Sequence, residues 1–296
     1  MAAATTVTPA AERRASRGLW TDAAFRLVRN KPAMLGVVLI LLFVFIAVFA
    51  PILAPYGPLE GTLAERLKPP GGDHLMGTDL QGRDELSRIL YGARVSLLAG
   101  VASVVMGLTI GGIIGALAGG IGGKVDTVLM RLTDVLLAVP GILLAIGIVA
   151  WLDRGLPQIM FAVAMTNAPI FARILRGSLL SLRESDYVTA SRSVGASSPR
   201  LLLRHMLPNS LTPLIVAATL ALATAIIDVA GLGFLGLGPP DPRTPEWGTM
   251  LTDATKFLRQ APWLLFFPGA AIVLSAVGFN LLGDGLRESL DPRMKR

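Results

Sequence analysis

The chain has no cysteine and only two histidines, His74 and His205, in 296 residues. Disulfides, thiolate nucleophiles, thiolate-held zinc and a histidine-based metal centre are therefore excluded. Charge is scarce as well: 16% of residues are charged, where a soluble domain carries about 25%. The sequence has no HExxH pattern, no nucleophile elbow and no close carboxylate pair inside an apolar run. Enzymatic chemistry has nothing to work with, so the chain is expected not to be an enzyme. What is abundant is apolar: 53% of the residues, much of it in long uncharged runs. Runs of that length define an all-α polytopic membrane protein. The net charge of +7 could suggest nucleic acid, but the arginines lie between the runs, where membrane topology accounts for them.

Six spans are expected, at about Met34–Ala54, Val95–Ala118, Thr127–Trp151, Leu156–Ala172, Asn209–Val229 and Pro262–Leu282. Residues 1–33 read as a cytoplasmic tail, disordered up to about Ser16, with an interfacial helix from Trp20 to Val28 that turns Trp20, Phe25 and Leu27 towards lipid. Residues 34–54 are an uncleaved first span rather than a signal peptide, because the uncharged run is too long. Residues 55–94 are a polar periplasmic connection ending in a short amphipathic helix, Asp84–Tyr91. Residues 95–283 hold five further spans, with a cytoplasmic loop at 179–208 and a periplasmic loop at 231–262; 284–296 form a cytoplasmic tail. With both termini inside, cytoplasmic segments carry 18 of the 27 lysines and arginines, as the positive-inside rule requires.

Local features refine this outline. The second span carries Gly100, Gly107, Gly111, Gly112 and Gly115, small residues that let membrane helices approach closely. A tight turn, Gly119 to Gly123, follows it. Arg131 and Asp134 sit near the start of the third span, three residues apart, where they can pair or snorkel; a functional role for such a charge is the alternative. Pro140-Gly141 should kink that span. Two glycine patterns mislead. Gly231-x-Gly233-x-x-Gly236 matches a dinucleotide fingerprint but lacks the strand and helix around it. GGIGGKV lacks the first glycine of a phosphate loop and has Val125 where a magnesium-binding hydroxyl belongs.

The most distinctive stretch is Asp186 to Pro208, charged and helix-competent between two apolar spans. Tyr187 to Val194 contains no breaker, Gly195 ends that run, and Pro199 can open a second short helix. Leu207-Pro208 then opens the fifth span. A polar helix–glycine–helix between spans suits docking of a soluble partner; a basic loop that only satisfies topology is the alternative. The outer loop Gly231–Ala261 is long for a connector and therefore a functional candidate. It could be a re-entrant plug or a docking and gating surface.

The 186–208 stretch resembles the cytoplasmic coupling loop of ABC importer permeases, whose pattern is Glu-Ala-Ala, three residues, Gly, nine residues, Ile-x-Leu-Pro. Thr189-Ala190-Ser191, Gly195 and His205-Met206-Leu207-Pro208 keep both gaps. Thr189, Ser191 and His205 depart from the pattern, the first removing a carboxylate. Further matches are Leu75-Met76-Gly77-Thr78-Asp79 with Gly82-Arg83-Asp84 and Ser87-Arg88, Tyr91-Gly92-Ala93-Arg94, Thr244 to Leu251, and Asn280 to Arg287 with Leu290-Asp291-Pro292. Together they are similar to the second, or C, permease subunit of dipeptide, oligopeptide and nickel ABC importers. Asp228 and Leu232 to Gly236 look most like the dipeptide group.

The resemblance implies a type I ABC importer permease fold in the bacterial inner membrane. It also implies a homologous B-type permease partner, two ATPase subunits that hold ATP and Mg, and an external substrate-binding protein. Tyr187, Thr189, Ala190, Ser191, Arg192, Gly195, Ala196, Ser197, Leu207 and Pro208 would couple to the ATPases. Asp228, Phe234 and Leu235 would line the translocation path or its gate, with Asp228 either meeting a peptide amino terminus or capping the Gly231 loop. Glu246, Trp247 and Met250 would dock the binding protein. Oligopeptides, nickel, haem or glutathione remain alternative cargoes. An ion-coupled secondary carrier is the rival mechanism, and it would require charges at mid-membrane.

Overall fold

The computed structural model describes residues 19–241 and 243–290. The supposed disordered tail and the Asp291-Pro292 match lie outside them. Among the described residues there is no strand, only three isolated bridges in the first connection. Helices α1 (Leu19–Arg29) and α2 (Lys31–Leu53) are separated by Asn30, whose side chain accepts from the Ala33 amide and caps α2. After a folded connection come α3 (Glu85–Ile121), α4 (Gly123–Ala138), α5 (Gly141–Leu152) and α6 (Leu156–Arg183). Short α7 (Asp186–Ser193) and α8 (Ser198–Arg200) follow, then α9 (Leu207–Leu232), α10 (Trp247–Ala254) and α11 (Trp263–Leu290).

Five helical stretches are long and apolar enough to span a membrane, and α4 with α5 make a sixth if counted as one. The third span is thus not the single kinked helix expected. Its halves meet at 96°, because Val139 is extended and Pro140 cannot donate to a continuing ladder. The expected interfacial helix Asp84–Tyr91 is not separate either. It forms the first turns of α3, since no proline interrupts 85–121 and Asp84 caps the whole helix through the Ser87 amide. At 37 residues α3 is about 55 Å long, so it extends past a bilayer core of about 30 Å.

The centre of the fold is the α3–α6 contact. An added Cβ at Gly107, Gly111 or Gly115 would stand 2.8, 2.2 or 2.6 Å from the carbonyl oxygens of Ala164, Ala168 and Ala172. A glycine every four residues therefore faces an alanine every four, and the two backbones touch, as expected for small residues in membrane helices. Gly36 on α2 and Gly278 on α11 make a second close crossing. Helix α1 packs against the last turns of α11. Its Phe25 is exposed and stacked under the Arg29 guanidinium, but Leu27 lies on Gly285 of α11 rather than facing lipid. For Trp20 only the backbone is described.

Candidate functional site

At the end of the molecule that holds the start of α2 and the end of α11, α7 follows α6 after two residues. Val188 is fully buried in the same apolar cluster as Leu175 and Leu179 of α6 and Met206. Around that single anchor, Tyr187, Thr189, Ala190, Arg192 and Val194 are exposed, and Ser191 is half-buried. Gly195 ends the helix at φ +87°. Its amide donates to Arg192 and the Ala196 amide donates to Ser191, so the last carbonyls are satisfied in a Schellman turn that a left-handed glycine completes. Space around Gly195 is open, so backbone conformation, not packing, requires glycine there.

The chain then turns at exposed Ser197 into α8, with Pro199 in its first turn as expected. As expected, α9 opens at Leu207-Pro208, but it does not start from a loop. The helical run already begins at Ser198 and leads directly into α9. Pro208 lacks an amide, and the segment before it, Leu201–Met206, widens to π geometry with the Leu207 amide bonded to Leu202. The His205 carbonyl accepts from the Asn209 side chain at 2.7 Å and from the Tyr187 hydroxyl at 3.4 Å. The Tyr187 contact ties the exposed helix to the foot of α9.

At the opposite end, Glu246, Trp247 and Met250 do not form an outward docking surface. All three are buried. Glu246 caps α10, accepting from the Gly248 and Thr249 amides at 2.8 Å each. Burial pushes its carboxyl above the usual range, and those two donors oppose the shift. The Trp247 indole donates to the Ile89 carbonyl at 3.1 Å and meets the Phe43 ring edge-on. These residues root the outer loop into α2 and α3.

Beside them lies a buried charged cluster that the spacing of residues gave no reason to expect. His74 contacts Asp84 at 2.9 Å, and Asp79 pairs with Arg83 at 2.6 Å and Arg88 at 3.5 Å. Glu85 is buried with Oε1 unpartnered among the described residues, facing a small enclosed space shared with Asp253. Burial raises the Asp253 carboxyl. The available signal was the Leu75–Asp84 motif itself, too polar for a simple connector. Among the described residues no His, Asp or Glu group is arranged to hold a metal ion.

Between the two ends, Asp228 is half-buried on α9 and makes no hydrogen bond or ion pair with any described residue, so it does not cap the Gly231 segment. The helix instead widens to π geometry at Gly233 and breaks at Gly236, whose φ is +79°, with Phe234 and Leu235 exposed in that last turn. Ile227 and Phe234 line an open apolar groove of about 390 Å³ with Leu251, Leu265 and Ile272. A second groove of about 510 Å³ lies along the other end of α9, beside Pro213, Val216 and Leu220. Asp134 does not pair with Arg131; it holds Arg173 of α6 at 2.5 Å.

Residues 111–296 match the family described as "Binding-protein-dependent transport system inner membrane component", and residues 18–70 match the "N-terminal TM domain of oligopeptide transport permease C". The chain belongs to this permease family. It is 46% identical over 276 residues to the "Dipeptide transport system permease protein DppC" of Alkalihalophilus pseudofirmus, covering 93% of this chain and 90% of that protein. The "Di/tripeptide transport system permease protein DppC" of Pseudomonas aeruginosa is 47% identical, with 90% and 89% covered. The "Oligopeptide transport system permease protein OppC" of Bacillus subtilis is 43% identical, with 95% and 92% covered. In fold the chain is similar to an inward-facing structure of the MetNI methionine ABC transporter, with a TM-score of 0.58, 20% identity, and 69% of this chain and 96% of that one covered. The fold is therefore that of a type I ABC importer permease, and the chain is a multi-pass inner-membrane permease subunit.

Proposed function

We propose that this permease carries short peptides, dipeptides foremost, into the cytoplasm as half of a heterodimer with a homologous B-type permease. The end bearing α7 faces the cytoplasm, with the N-terminus inside, as the distribution of lysine and arginine favours. Two separate ATPase subunits, which hold ATP and Mg, dock on the exposed face of α7, and an extracytoplasmic binding protein delivers cargo to the other end. The observation that carries this reading is the build of α7. Its outer face is free, while one buried residue, Val188, joins it to the core of α6. A push on such a helix moves the span behind it. The grooves at the two ends of α9 support a path along that helix, and Asp228, without a partner among the described residues, would meet a peptide ammonium group.

The test is uptake of a labelled dipeptide into vesicles holding this chain with its permease, ATPase and binding-protein partners. Uptake that needs ATP and stops when the ATPases are omitted is the expected result. Uptake driven by a proton gradient alone would establish the secondary-carrier mechanism instead. The similarity to an oligopeptide permease makes longer peptides the second cargo to try; nickel, haem and glutathione complete the series.

A further inference from the structure

The first half of the broken span, α4, is held very differently from the helix beside it. Helix α4 runs for sixteen residues yet buries a single side chain, Thr133, whereas α6 beside it buries eleven residues. Both ends of α4 are breaks in the helical run: Gly122 and Gly123 at positive φ where it begins, extended Val139 and Pro140 after it. Apolar packing therefore does little to fix α4. What ties it to α6 is charge. Arg176 grips Asp126 with two parallel bonds, at 2.5 and 2.7 Å, and Arg173 holds Asp134 at 2.5 Å. The bidentate fork fixes direction as well as distance.

The two arginines lie one turn apart on α6, the helix that leads into α7 and shares a core with Val188. From the structure we infer that Asp126, Asp134, Arg173 and Arg176 are positioning residues that make α4 ride on α6 as one body. Movement of α7 is thereby passed to the arm of the broken span. The inference rests on the proposed importer function. It extends that function from the docking helix to the element that moves with it.

Charge reversal with swap tests the clasps. In vesicles containing the complete importer, Arg176→Asp sets a like charge against Asp126, and Arg173→Asp does the same to Asp134. Each lowers peptide uptake per ATP hydrolysed by about tenfold, and the swapped pairs Asp126→Arg/Arg176→Asp and Asp134→Arg/Arg173→Asp return the ratio to within about threefold of the parent. Reversals that leave the ratio unchanged, or swaps that assemble but stay uncoupled, overturn the proposal.

A second measurement needs no transport. The chain has no cysteine, so Asp126→Cys/Arg176→Cys can be bridged cleanly by a short bis-maleimide in membranes. Near-complete bridging, with recovery of the uptake lost in the unbridged variant, is expected. A bridge that does not form, or that forms without restoring uptake, shows that the helices do not travel together. Parent vesicles without ATP-driven uptake would instead count against the importer function, and the bridging yield would still report on the clasp.

Discussion

The loop around α7 and the loop around α10 carry motifs of similar length and polarity, yet they are built on opposite plans. In α10 the polar and aromatic groups point inward: Glu246 and Trp247 are each 1% or less exposed, and both are hydrogen-bonded. In α7 the plan is reversed, with one buried anchor and a free outer face. The α10 motif is thus required by the fold of this chain alone. The α7 motif is held within this chain by Val188 and by the Tyr187–His205 bond, and the rest of its outer face is left exposed. A recognisable motif can mark a packed joint or a docking face, and burial tells them apart.

The sharpest contrast should come from truncating a residue of each kind. Trp247→Ala removes a fully buried indole and its bond to Ile89; a loss of about 3–5 kcal/mol is expected, read as a collapse of thermal stability and membrane yield. Val194→Ala, at 85% exposure, should change stability by less than about 0.5 kcal/mol. Comparable losses from both would erase the distinction.

Gly195→Asp comes next. A side chain at φ +87° costs about 1–2 kcal/mol and unwinds the turn that presents α7. Uptake should drop severalfold or more while the protein remains folded. Normal transport in this variant would remove α7 from the coupling mechanism.

Asp228 lies between the two regions on α9. If it meets a peptide ammonium group, Asp228→Asn should weaken uptake of peptides with a free amino terminus by about tenfold, the value of one charge-assisted bond. N-acetylated peptides should be unaffected. Equal effects on both kinds of peptide would assign the residue to the helix rather than to cargo.

The smallest expected effect is a pH slope. Burial raises the Glu246 carboxyl in the fold, so the folded state holds this proton to higher pH than the unfolded state does. Its stability cost is absent below the ordinary carboxylate range and grows as pH rises from there towards the raised value. Thermal stability should therefore fall slightly over that window, and Glu246→Gln should flatten the slope. Thr189→Ala, on the α7 side, should leave the slope unchanged.

Much of this architecture was legible in the sequence. Apolar runs placed the spans, the glycines of the second span announced a close helix contact without naming its partner, and Gly195 with Pro199 marked the breaks around α7. What escaped reading depends on partners far apart in the chain. Asp134 could be paired with Arg131 by spacing, but Arg173 lies 39 residues away and is brought near only by folding. Pro140 announced a kink, yet its 96° size follows from extended Val139. The polar 55–84 connection looked like a loop because its bonds pair residues about ten apart, as Leu67 with Asp79 and Lys68 with Thr78, and reach α3 and α11 at Ser87 and Trp263, which local pattern does not reveal. Glu246, Trp247 and Met250 looked available because a loop between spans is expected to be exposed, and burial is a property of the assembled fold.

The most direct test of the central claim uses the absence of cysteine. Single cysteines are placed at Ala190 in α7 and at Met250 in α10, and labelling by a soluble maleimide is followed with and without the partner ATPases. The account predicts that Ala190→Cys is labelled readily in the permease pair and becomes protected when the ATPases bind, while Met250→Cys stays unreactive throughout. Equal labelling of Ala190→Cys in both states, in complexes that still assemble and transport, would contradict it.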